Sequence, residues 1–168
     1  VADVSGGTDA TKYFVSATWK RDNAIEVATG ASRQGLRINI DQKISPKIDV
    51  SVSSVFNRSL AQRGWDNNCN NFACFGYALA YIPSFYDLRK RADGNYQAPI
   101  GVQSNPLQTA ELARNNSETY RFTGGATLTW KLHTSDRTSF RLIGTAGADQ
   151  PANTATRLYV SDDGIDLA

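Results

Sequence analysis

From Tyr120 to Leu132 the chain holds one strict two-residue register, and few folds accept such a segment. Tyr120, Phe122, Gly124, Ala126, Leu128, Trp130 and Leu132 fall on one side, and Arg121, Thr123, Gly125, Thr127, Thr129 and Lys131 on the other. Successive side chains of a strand point to opposite faces, so this is a strand with one apolar and one polar face. At roughly 3.3 Å per residue, Tyr120 and Trp130 stand about 33 Å apart along it, or about 25 Å of height at a tilt of roughly 40°. That is the height of the apolar band of a membrane barrel between its two aromatic girdles.

The same period recurs along the chain. Tyr13, Val15, Ala17 and Trp19 alternate with Ser16, Thr18 and Lys20, with Phe14 off pattern. Leu36, Ile38 and Ile40 alternate with Arg37, Asn39 and Asp41, and Ile48, Val50, Val52 and Phe56 with Asp49, Ser51, Ser53 and Asn57. Ser54 and Val55 are the exceptions there. Phe140, Leu142, Gly144 and Ala146 oppose Ser139, Arg141 and Thr145, with Ile143 off pattern, and Val1 to Ser5 reads as the end of one more strand. The helical template fits none of these segments as well.

Short connections alternate with long ones. The short ones are Thr8 to Thr11 after Gly6-Gly7, Ser45-Pro46-Lys47, and His133 to Asp136, all of turn-forming composition. The long ones are Arg21 to Arg33, about Arg58 to Ser117, and the tail after Asp149. A barrel with short periplasmic turns and long outer loops has this asymmetry. The expected fold is therefore all-β, an antiparallel up-and-down transmembrane β-barrel segment of about six strands over residues 1–168, with one long extracellular loop at about 58–117. Within that loop, Ala78 to Tyr86 reads as a short helix or an extended stretch, and Asp93-Gly94-Asn95 as a tight turn.

Charge and composition narrow the function. With 18 basic and 16 acidic residues in no like-charged block, a nucleic-acid partner is not expected. No apolar run is long enough for a spanning helix. The chain opens on Val1 with neither a basic n-region nor an apolar h-region, which reads as a mature chain or a piece of a longer one. One histidine, His133, and no phosphate-cradling glycine loop leave nucleophilic and acid–base schemes without a base, so the expectation is not an enzyme and no cofactor. Asp162, Asp163 and Asp166 fit no complete calcium loop.

Four ordered pieces carry a family resemblance: SGGTDATKYFVSATW (Ser5 to Trp19), RQGLRINIDQKISPKIDVSVSS (Arg33 to Ser54), ALAYIPSFYDLRKRADGNYQ (Ala78 to Gln97) and NPLQTAELARNNSETYRFTGGATLTW (Asn105 to Trp130). In order and spacing they resemble the SusC-like (RagA/SusC) branch of the TonB-dependent outer membrane receptors. The resemblance implies a 22-stranded barrel with a plug domain, energised through TonB, that imports oligosaccharides or peptides delivered with a SusD-like surface lipoprotein. This chain departs from that pattern in carrying no plug domain and no TonB box. The expectation is a bacterial outer membrane protein whose remaining barrel and plug lie in the same or another chain.

Candidate residues follow from this reading. Cys69 and Cys74, spaced CNNFAC, would form a local disulfide in an oxidising compartment, with two free thiols as the alternative. Trp65, Tyr77, Tyr81, Phe85 and Tyr86 concentrate aromatic rings in the long loop, first as packing and second as candidate substrate contacts. Tyr13, Trp19, Tyr120 and Trp130 read as membrane-interface anchors. Arg37, Asp41, Asp49, Arg121, Lys131 and Arg141 read as lumen-facing charges, or as salt-bridge ladders between neighbouring strands. Two alternatives stay open. One is a structural or adhesive β-sheet subunit that self-assembles through free strand edges into a surface assembly or filament. The other is a secreted glycan-binding module.

Overall fold

The computed structural model describes residues 1–65, 74–97, 99, 101, 104–135 and 137–158. Six strands form one antiparallel sheet in sequence order: β1 (Ala2–Gly7), β2 (Thr11–Asn23), β3 (Gly30–Ser45), β4 (Ile48–Arg63), β5 (Arg114–Thr134) and β6 (Ser139–Leu158). The order is an up-and-down meander, and the sheet does not close into a barrel. Among the described residues two short helices, α1 (Phe75–Tyr81) and α2 (Pro106–Leu112), lie between β4 and β5.

The strands run past the limits that periodicity suggests. β3 begins at Gly30 and β2 continues to Asn23, so the connection expected from Arg21 to Arg33 shrinks to residues 24–29. β4 and β5 shorten the expected 58–117 loop to residues 64–113. The tail after Asp149, expected as a long connection, is instead strand as far as Leu158. The reason is physical: backbone pairing with a long neighbour carries a strand through polar sequence, such as Gln150 to Arg157, where side-chain alternation gives no sign of it.

The chain divides into two compact units. The first holds Val1–Arg21, Ser32–Ser59 and Thr119–Asn153, and includes all three short turns. Gly7, with φ 151°, turns β1 into β2, where Thr8 N–H donates to Thr11 O at 2.6 Å. Pro46-Lys47 joins β3 to β4, and Ser135 N–H donates to Thr138 O at 2.8 Å ahead of β6. The β1–β2 register places Val4 opposite Val15 and Gly6 opposite Tyr13. The Tyr13 ring lies across the bare Gly6 backbone, where a Cβ would stand 2.7 Å from its hydroxyl.

The second unit holds Asp22–Ala31, Leu60–Glu118 and the C-terminal segment from Thr154, and includes both longer connections. The residues buried among those described all lie here: Cys74, Ala78, Pro99, Ser104, Asn105, Pro106, Gln108 and Thr109. Half of this small core is polar: Ser104, Asn105, Gln108 and Thr109. The strands themselves contribute no buried side chain among the described residues. The accessible surface is 11936 Å², whereas a folded soluble monomer of this mass exposes about 8,100 Å².

Candidate functional site: the polar face and the long loop

Contacts between strands sort the side chains onto two faces. On β5 and β6, Arg121 donates to both carboxylate oxygens of Asp149 at 2.9 and 2.5 Å, Thr123 joins that carboxylate at 3.1 Å, and Thr127 meets Thr145 at 3.2 Å. On β4 and β5, Lys131 pairs with Asp49 at 2.7 Å. On β3 and β4, Asn57 lies over Gly35. Residues directly opposite in an antiparallel pair share a face, so these belong to one polar side. On the other side Phe56 meets the Tyr120 ring at 6.2 Å, and Arg58 sits 5.7 Å from that ring's centre while donating to Gln34 at 3.5 Å.

The expected apolar row is exposed along its length. Trp19 is 72% exposed, Phe140 62%, Leu128 46% and Trp130 44%, while Tyr13 and Tyr120 are also open. Of the six charges expected on the polar side, Asp49, Lys131 and Arg121 are paired across strands. Arg37, Asp41 and Arg141 make no ion pair among the described residues. Asp49 Oδ1 has no hydrogen-bond partner among the described residues.

Among the described residues, grooves mark the polar side at two places. Near the turns, Lys12, Asp41, Lys43, Asp49 and Ser51 line a groove of about 210 Å³ with charges of both signs. Farther along, Ser16, Thr18, Arg33, Gly35, Arg37 and Asn57 line one of about 270 Å³ that contains no carboxylate. Of the second group the sequence singled out only Arg37. The missing signal is lateral: Ser16 and Thr18 come from β2 and Asn57 from β4, and only the register assembles them.

The long loop is pinned by Asn105, which is fully buried. Its Nδ2 donates to Leu88 O at 2.9 Å and to Gln97 O at 3.1 Å, and its Oδ1 accepts from Leu107 N–H at 2.9 Å as the cap of α2. An Asn followed by Pro at the first helical position is a start signal, so α2 was there to be read in the Asn105-Pro106 pair. Beside this pin, Glu111 accepts from Lys90 Nζ and from the Tyr96 hydroxyl, each at 2.5 Å. Hydrogen bonding to that carboxylate pushes Tyr96 up to about 12 and holds Glu111 below its ordinary range. Asp87 is held down at about 2 chiefly by the Arg89 guanidinium fork. The turn at Arg91–Asn95 closes through Gly94 N–H on Arg91 O, with Gly94 at φ 85°.

The five loop aromatics are only partly brought together. Tyr77 and Tyr81 meet one helical turn apart on α1, rings 5.1 Å apart and tilted by 41°, and their hydrogen bond raises the Tyr77 pKa. α1 stops at Tyr81, so Phe85 and Tyr86 follow it in an irregular segment. Phe85 is open to solvent, whereas Trp65 and Tyr86 are half-buried. Cys74 is buried at the start of α1, and its expected partner Cys69 lies outside the described residues, as do Asp162, Asp163 and Asp166. No group of three or more His, Cys, Asp or Glu that would hold a metal occurs among the described residues. Among the described residues no helix is long and apolar enough to cross a membrane, which leaves crossing by strands untouched. Neither the protein-family models nor the curated proteins compared with this chain give a match.

Proposed function

We propose that the chain forms part of the wall of a bacterial outer membrane active transporter, of the TonB-dependent, SusC-like kind, that imports oligosaccharides or peptides. In this reading the rest of the barrel and a plug complete the pore, with TonB and a SusD-like lipoprotein as partners, and the chain has no catalytic role. The polar side, with Arg37, Asp41, Asp49, Arg121, Lys131 and Arg141, faces the lumen. The apolar side, with Tyr13, Trp19, Tyr120 and Trp130, faces lipid. The 64–113 connection is an outer loop stiffened by a Cys69–Cys74 disulfide, a pairing consistent with Cys74 not being a free thiol. Tyr81 and Phe85 then offer open rings to the substrate.

The observation that carries this reading is the segregation of faces across the sheet. Polar side chains meet polar ones between β3, β4, β5 and β6, and the opposite, apolar row is exposed without any buried residue beneath it. A soluble sheet buries its apolar face against a second layer. A membrane strand leaves that face bare for acyl chains.

The open edges of β1 and β6 favour one other reading, a structural or adhesive subunit that polymerises through them. The mass of the native particle after gentle membrane extraction separates the two. The transporter reading expects a detergent-bound particle far heavier than 18.3 kDa, with this chain inside a single closed barrel. Repeating copies in a detergent-free ring or fibre overturn it.

A further inference from the structure

We propose that the groove around Gly35 is a recognition site for a carboxylate-bearing sugar, a uronate unit of an acidic oligosaccharide. The inference names a substrate class for the polar face and rests on the transporter reading for the direction in which that face looks.

Arg33 and Arg37 flank Gly35 on β3 and line the same groove. Four residues apart on a strand, their Cα atoms stand about 13 Å from one another. That distance lets two extended guanidinium groups converge from either side on the space above the residue between them. The residue between them has no side chain of its own, which lets a side chain from the neighbouring strand lie over it. A Cβ at Gly35 would come within 2.9 Å of Asn57 Oδ1, which places the Asn57 amide at the floor of the groove.

Charge gives the ligand its sign. Neither arginine makes an ion pair or a side-chain hydrogen bond among the described residues, and no carboxylate lines the groove. The other groove on this face mixes Lys12 and Lys43 with Asp41 and Asp49 and is internally balanced. Arg121 is likewise occupied, by Asp149. An arginine fork matches a carboxylate through two parallel N–H donors.

The remaining lining gives the ligand its body. The Ser16 and Thr18 hydroxyls and the Asn57 amide both donate and accept, as a ring bearing several hydroxyls requires. Leu36 and Val55 are the apolar residues in the lining, a small share of a surface made mostly by polar and charged groups, which suits a sugar better than the apolar side chains of a peptide. A volume of about 270 Å³ lies just below the usual range of small-molecule pockets, which suits one sugar unit of a longer chain.

The test is calorimetric titration of the full-length protein, purified in detergent, with a galacturonate oligosaccharide and with its neutral methyl ester. The acid is expected to bind at least tenfold more tightly than the ester, with an affinity that falls as salt rises. Arg33→Gln and Arg37→Gln should each weaken the acid by about tenfold to a hundredfold and leave the ester unchanged. Arg37→Lys should recover part of the loss. Equal binding of acid and ester overturns the site, as does absence of acid binding or acid binding that ignores both substitutions. An acidic peptide of equal charge binding as tightly overturns the sugar assignment. The acid–ester comparison uses the unaltered protein, so it stands even if a variant fails to fold. Acid selectivity in a protein recovered as a detergent-free fibre would sink the transporter reading and leave the site.

Discussion

Replacing Ala126 with arginine places a charge near the middle of the apolar row. Ala126 is exposed, so the larger side chain meets no packed neighbour to clash with. It lies four residues from Trp130 and six from Tyr120, or about 13 and 20 Å along the strand, which a 40° tilt converts to about 10 and 15 Å of height. If those two aromatics mark the interfaces, the new charge sits close to the bilayer midplane. Arginine there costs about 2–4 kcal/mol, a factor of roughly 30 to 900 in the folding equilibrium. The same substitution on a water-exposed strand face changes stability by about 0.5 kcal/mol or less. Thr127→Arg, one residue on and on the opposite face, is the matched control. Urea unfolding of the protein in phospholipid vesicles reads both. Ala126→Arg is expected to lose about 2 kcal/mol or more relative to Thr127→Arg. Equal losses for the two would mean that the apolar row does not face lipid, and the assignment of faces to environments would fall.

Three further outcomes are expected. Asn105→Ala leaves the carbonyls of Leu88 and Gln97 and the Leu107 N–H without their buried partner, so segment 88–112 should lose about 2–4 kcal/mol of local protection in hydrogen exchange, with the strand amides of β2 and β3 unaffected. Glu111→Gln should lower the Tyr96 titration from about 12 toward the ordinary tyrosine value, followed by ring-carbon NMR with the other tyrosines as reference. Because the Glu111 pKa is depressed in the folded loop, its contribution is present above about pH 4.3 and disappears as pH falls through the lower folded value, so loop protection should decline in acid and Glu111→Gln should flatten that decline. Gly7→Ala would put a Cβ 2.1 Å from the Thr11 carbonyl oxygen at a φ of 151°, both backbone constraints, so β1 should lose its protection while β3 to β5 keep theirs. Unchanged exchange in β1 would count against the turn described here.

Much of the sheet is legible in the chain because its period is local. Tyr120 to Leu132 declares its two faces without reference to any neighbour, and Gly6-Gly7 and Ser45-Pro46-Lys47 declare their turns through backbone preference. Where the side chains turn polar on both faces, as in Gln150 to Arg157, that signal vanishes and the strand persists by pairing alone. The loop divides in the same way. The Asp93-Gly94 turn follows from residues adjacent in sequence, whereas the junction at Asn105 joins carbonyls at 88 and 97 that no local pattern relates.

The sequence by itself therefore determined the strand character, the two faces of a strand wherever the alternation is kept, and the places of the short turns, since each depends on alternation or turn chemistry within a few residues. Only the tertiary structure decided which polar residues stand side by side. Register between strands sets Arg121 against Asp149, leaves Arg33 and Arg37 without a counter-charge among the described residues, and lays Asn57 over Gly35. Register is a relation between distant segments, held by backbone hydrogen bonds that every residue offers alike, and a one-residue slip would exchange the faces altogether.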